Sequence, residues 1–177
     1  MNFDQLLQRY YQWTPKRVIG QYWASEIYWI KVGKVTVENW SQPPELPLEA
    51  LQKIAIGEAL EWKLRDILLR NNYQFQYQRK KYLEITPEIK LVVKCDFEFP
   101  NLILETKYSN FLGEWARFQM ECEYRAWKKE VWYGRLSIPF SCKFARYEPS
   151  DSRWEEIKTI VKDFHEKLTC GHASRSS

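Results

Sequence analysis

The stretch "CDFEFPNLILETKYS", residues 95 to 109, sets an acid before a turn, and an acid and a lysine after it, in a run otherwise rich in large apolar residues. Strand side chains alternate faces with a period of two, so the run can be sorted residue by residue. A turn centred between Pro100 and Asn101 pairs Phe97 with Leu104 and Asp96 with Glu105. Leu91, Val93, Cys95, Phe97 and Phe99 then share a core face with Leu102, Leu104 and Thr106. The opposite face carries Val92, Lys94, Asp96, Glu98, Ile103, Glu105 and Lys107. Directly opposed like charges, with Cβ atoms about 4.5–5.5 Å apart, destabilise a sheet unless a cation joins them. Two hard oxygen ligands suit Mg²⁺ or Mn²⁺. Lys107 points to the same side, where an ammonium orients a water or offsets charge on a phosphate. The pattern predicts metal-assisted hydrolysis; its plain alternative is the solvated face of an ordinary hairpin.

Working outward, three strand-like runs, 73–85, 89–99 and 102–108, are separated by Thr86-Pro87 and Pro100-Asn101 and read as an antiparallel meander. Before them, Leu51, Ile54, Ala55, Leu60, Leu64, Ile67 and Leu68 recur at helical spacing and predict a helix over 48–70, opened by Pro47 and stopped by "RNN". Glu58 and Glu61 share a stripe of that helix with Gly57, a residue that costs a helix about 1 kcal/mol relative to alanine and suggests a close approach. Residues 2–12 read as a short amphipathic helix, and "SEIYWIKVGKVTVENW" as a segment with Ser25 as N-cap and a strand-like end. After the meander come a helix over 113–130, two strands in "VWYGRLSIPF" and "SCKFARYE", and a capped helix in "SDSRWEEIKTIVKDFHEKL". The fold class is α+β, or mixed α/β, with one domain over 1–168 and a tail over 169–177.

Composition bounds the function. The 177 residues suffice for one domain with a real core, and 45% apolar with 28% charged residues excludes disorder and fibrous repeats. No apolar run reaches the ~18 residues of a membrane span, and the N-terminus lacks a signal-peptide pattern, so the expected location is inside a cell, in the cytoplasm, that of a host cell if the source is viral. Cys95, Cys122, Cys142 and Cys170 lie too far apart for a compact zinc or iron–sulfur pattern and read as buried free thiols. A net charge of +4 neither requires nor repels a polyanionic partner.

In these motifs the chain resembles the PD-(D/E)XK nuclease superfamily, with its restriction-endonuclease-like core of a central mixed sheet flanked by helices. Asp96 and Glu105-Thr106-Lys107 match its motif residues. Within it the chain is similar to the RecB-type and Cas4-like branch: Gly57-Glu58-Ala59-Leu60-Glu61 fits the branch's G-x-x-x-H/E helix, and "RFQMECEY" its glutamine and tyrosine, Gln119 and Tyr124. The tyrosine sits one residue later than usual. Cas4-like chains usually carry an iron–sulfur cluster, but Lys31 and Val32 occupy the early region and only Cys170 lies near the end, so no cluster is expected. The resemblance implies a reduced relative of the kind found in archaeal viruses and plasmids, acting in DNA replication, recombination or repair. It also implies Asp96 and Glu105 as ligands of Mg²⁺ or Mn²⁺, Glu61 as a third or water-mediated ligand, the Thr106 carbonyl completing the shell, Lys107 positioning the attacking water and Gln119 bracing the site. Lys94, Arg117 and Arg125 are candidate phosphate contacts, with Tyr124 beside them; the alternative for each is an ordinary charged or core position.

Two other classes compete. One is a DNA-binding or assembly module that keeps the fold without chemistry, disfavoured by the presence of Glu61, Asp96, Glu105 and Lys107 together. The other is a structural interaction protein whose nine tryptophans line a homo-oligomer interface.

Overall fold

The computed structural model describes residues 17–41, 46–109 and 112–173. The helix expected over 2–12 and most of the proline-rich connector lie outside these. The elements are β1 (Gln21–Trp23), a 3₁₀ turn (Ala24–Glu26), α1 (Ile27–Lys31), α2 (Leu48–Arg70), β2 (Gln76–Tyr77), β3 (Lys80–Thr86), β4 (Ile89–Lys94), β5 (Phe97–Glu98), β6 (Leu102–Tyr108), α3 (Glu114–Trp127), β7 (Glu130–Ser137), β8 (Ser141–Arg146) and α4 (Asp151–Ala173). They form a three-stranded sheet, order β1-β4-β3, and a five-stranded sheet, order β2-β5-β6-β7-β8. Both sheets are mixed: β1 runs parallel to β4 and β6 parallel to β7, with α3 as the crossover between β6 and β7.

The expected meander is divided between the two sheets. Both long runs break at the same level, 73–85 between β2 and β3, and 89–99 between β4 and β5. Gln78 adopts a φ of 55°, and the breaks bond each other: the Gln78 amide to the Asp96 carbonyl at 2.8 Å, and the Cys95 amide to the Arg79 carbonyl at 3.0 Å. The hairpin thus turns out of one sheet into the next with these two backbone hydrogen bonds joining the breaks. This turn also swaps faces. Leu91, Val93 and Cys95 belong to the main core with α3 and α4, whereas Phe97 packs in a second cluster with Leu64 of α2, Leu104 and Leu136. Cys95 and Phe97 therefore do not share the single core face that alternation predicts.

Helix α2 ends where "RNN" predicts, with the Asn71 side-chain amide donating to the Ile67 carbonyl at 2.8 Å and Asn72 in the left-handed region at φ 59°. Pro47 stands at its N-cap, one position earlier than expected. In the 25–40 segment, Ser25 is not an N-cap and no strand forms. Instead the Lys34 and Val35 amides both bond the Trp29 carbonyl, so Val35 and Val37 pack inward from turns. Helix α4 begins at a Ser150 cap, whose hydroxyl accepts from the Arg153 amide at 3.3 Å. It continues to Ala173, into the segment expected as a tail. Cys95 and Cys122 are buried free thiols as expected, but Cys142 is only partly buried and Cys170 is exposed. Trp40 and Trp127 are core residues, which leaves Trp62 as a strongly exposed tryptophan. No helix among the described residues is long and apolar enough to cross a membrane.

Candidate active site

Three elements and the bend between the sheets meet at one cluster of charged side chains. The register expected for the hairpin holds at Phe97↔Leu104 and Glu98↔Ile103, but the pairing stops there. Asp96 therefore lies on the bend rather than in a ladder opposite Glu105. Its Oδ2 accepts from the Thr106 amide at 2.7 Å and from the Thr106 hydroxyl at 2.8 Å. Thr106 thus fixes the Asp96 carboxylate through its amide and its hydroxyl.

Alternation along β6 turns Glu105 and Lys107 towards α3. Glu105 is fully buried, with Oε1 accepting from Lys107 Nζ and from Gln119 Nε2 at 2.6 Å. Gln119 also donates to Glu123 Oε1 at 3.0 Å. Gln119 and Glu123 are four apart on α3, so both lie on one helix face. On the other side, Glu61 of α2 accepts from the Tyr77 hydroxyl at 2.7 Å and the Gln78 side-chain amide at 2.8 Å.

The electrostatics tie these groups together. Burial, and then the charge on Asp96, push the Glu105 carboxyl up to about 7 in spite of Lys107. Burial, and then Glu105, push Glu123 well above the usual carboxylate range. Burial and Asp96 also raise Glu61, against the lowering effect of its two hydrogen bonds and of Lys107. The Lys107 ammonium resists the effect of burial because Glu105 and Asp96 hold its proton, raising its pKa. With both acids ionised, Glu105 Oε2 and Glu123 Oε2 are buried without a donor. The two carboxyls interact directly, so a shared proton or a cation would satisfy them.

The chemistry of these donors fits a hard divalent ion. Among the described residues no three acidic, histidine or cysteine side chains are already gathered in ligating geometry. The fit rests instead on hard carboxylate oxygens, two of them buried without partners, in a cluster whose acids raise one another's pKa values.

The structure thus brings together Glu61, Asp96, Glu105, Thr106, Lys107 and Gln119. Lys94 lies two residues before Asp96, half-buried at the end of β4. The other candidate phosphate contacts stand apart. Arg117 is exposed and pairs with Glu114. Tyr124 packs against the main core. Arg125 is held by Glu121 and Asp151 at 2.8 and 2.7 Å. The sequence reading missed Glu123, although its spacing from Gln119 could have pointed to it, and missed Tyr77 and Gln78, which only the bend brings to Glu61.

No family model matches the sequence, and no curated protein matches it. Solved structures do match. SSO0001 is similar with a TM-score of 0.69 at 14% identity, over 91% of this chain and 82% of that one. The alkaline exonuclease LHK-Exo of Laribacter hongkongensis gives 0.65 at 13% identity, over 89% and 93%. A phage-related exonuclease from Haemophilus somnus 129PT gives 0.54 at 14% identity, over 99% and 100%. At such low identity the likeness concerns the fold: this chain has the mixed α+β architecture, sheets flanked by helices, of these structures.

Proposed function

We propose that the protein is a DNA nuclease that uses Mg²⁺ or Mn²⁺ to hydrolyse phosphodiester bonds. The observation that carries this reading is the convergence of Glu61, Asp96, Glu105, Lys107 and Gln119 from separate elements onto one largely buried cluster. The exonuclease structures that share its fold support the same class of substrate. The RecB-type and Cas4-like assignment belongs to this proposal. Its support is that the two branch positions, Glu61 and Gln119, act on Asp96 and Glu105.

Asp96 and Glu105 would hold the ion, with Glu61 as a third or water-mediated ligand. The chemistry supplied by a bound ion would be to acidify the attacking water and to offset charge on the scissile phosphate. The chain's own groups do the rest. Thr106 fixes the Asp96 carboxylate, and Gln119 fixes Glu105 against Glu123. Lys107 keeps its proton and places an ammonium beside Glu105, where it can orient the attacking water and stabilise negative charge on the phosphate. The proton that Glu105 and Glu123 can share is one that ion binding would displace.

The test is cleavage of labelled linear, circular and branched DNA with and without Mn²⁺. Glu105→Ala should lose cleavage and metal-induced thermal stabilisation together. Lys107→Ala should keep the stabilisation while cleavage falls by about 100-fold or more. Glu98, bound at 2.8 Å by Lys129, serves as the control, and Glu98→Gln should cleave almost normally. Wild-type cleavage by both Glu105→Ala and Lys107→Ala would overturn the reading.

A further inference from the structure

The face of β1-β4-β3 turned away from α3 sets aromatic rings and lysines side by side. Its register sets Trp23 beside Val92 and Val92 beside Tyr82, so an aliphatic residue only 5% exposed lies between two aromatic rings. Tyr82 itself is 63% exposed. Two residues along, Lys80 stands directly opposite Lys94, whereas on the other side Glu84 stands opposite Lys90. Directly opposed like charges are unfavourable unless an ion of the other sign joins them, and here that ion is an anion. The Lys80 ammonium lies 4.8 Å from the Trp23 ring centroid, the place a stacked base would take.

This face runs into the acidic cluster along both strands. Lys80 is two residues from Gln78, which bonds Glu61, and Lys94 is two residues from Asp96. Two residues span at most about 7 Å of chain. Rings with cations beside them suit an unpaired strand, whose bases are free to stack; a duplex buries its base faces.

We propose that this face holds the unpaired DNA strand next to the scissile bond, with bases stacked on Tyr82 and Trp23 and a phosphate bridging Lys80 and Lys94. The inference rests on the nuclease reading for its substrate. Its test is separate, because binding is measured with a chelator present so that nothing is cleaved.

The probes are a fluorescent oligothymidylate and a duplex of equal length, titrated at several salt concentrations. Tyr82→Ala should weaken single-strand binding by about 10-fold. Tyr82→Phe, which keeps the ring, should restore it. Lys80→Gln and Lys94→Gln should each reduce the slope of log affinity against log salt by about 0.7. Unfolding midpoints near wild type would show that the variants fold, as expected for exposed Tyr82. Wild-type single-strand affinity in Tyr82→Ala and Lys94→Gln, together with normal metal-dependent cleavage, would overturn the inference and leave the nuclease reading standing. Equal loss of duplex and single-strand binding would also overturn it. Loss of single-strand binding in the variants, with no cleavage by wild type in Mg²⁺ or Mn²⁺, would uphold the strand-binding face and remove the nuclease reading.

Discussion

Glu105 and Glu123 lie fully buried against each other, and the ionised form of each is disfavoured first by burial and then by neighbouring acids. The consequence for stability has a definite sign. The Glu105 carboxyl, about 7 in the folded chain against an ordinary 4.5, retains a proton that the unfolded chain has already released. The folded state therefore binds more protons between these values, and its stability falls as pH rises through that interval. In chelator, denaturant unfolding should give a protein more stable at pH 5 than at pH 8, by on the order of 3 kcal/mol. Glu105→Gln should flatten the profile, and Mg²⁺ or Mn²⁺ should restore stability more at pH 8 than at pH 5. A metal-free protein whose stability rises over the same range would contradict this assignment.

At the scale of elements, two glycines separate a close approach that has room from one that has none. A Cβ on Gly57 of α2 would meet the Tyr108 Cβ at 3.4 Å, an ordinary contact. A Cβ on Gly134 of β7 would meet Cys142 Sγ, Leu104 Cδ1 and Thr106 Cγ2, each at 3.2 Å. Gly57→Ala should therefore stabilise by up to about 1 kcal/mol through helix propensity, and Gly134→Ala should destabilise by about 1–3 kcal/mol through overpacking. Thermal unfolding of the two variants checks both signs. The same elements show what was legible in the sequence. Helix α2 has an apolar period and a stop at Asn71 and Asn72, both local features, and the Pro100-Asn101 turn fixes the register of β5 on β6. The bend between the sheets was not legible, because apolar alternation runs straight through Cys95 and Phe97 and the positive φ falls on Gln78 rather than on glycine. Alternation therefore gives Asp96 a ladder position that it does not hold. Strand β1 is three residues long, too short to show a period. Glu123 reads locally as charged helix surface, and only the packing of α3 on β6 buries it against Glu105.

Over the whole molecule, one buried acid decides how α3 is joined to α4 and what Arg125 is for. Glu121 is fully buried with both oxygens engaged: Oε1 by Arg125 at 2.8 Å, Oε2 by the Tyr147 hydroxyl at 2.7 Å and the Ser150 amide at 2.9 Å. Arg125 also reaches Asp151 at the start of α4 and stacks near Trp154, while Arg153 donates to the Tyr147 hydroxyl. The network holds the start of α4 against the helix that carries Gln119 and Glu123. Removing Arg125 leaves a buried carboxylate short of its cation, a change that costs several kcal/mol when burial is complete and less here because the guanidinium is partly exposed. Arg125→Ala should lower stability to urea by about 2 kcal/mol. Its affinity for DNA, measured on the folded variant in chelator, should stay within about twofold of wild type, because the side chain is committed inside the protein. The two readings of Arg125 give opposite results in this pair of measurements. A variant with unchanged stability and DNA affinity reduced about tenfold would make Arg125 a phosphate contact. The Glu121 carboxylate would then be held chiefly by Tyr147 and Ser150.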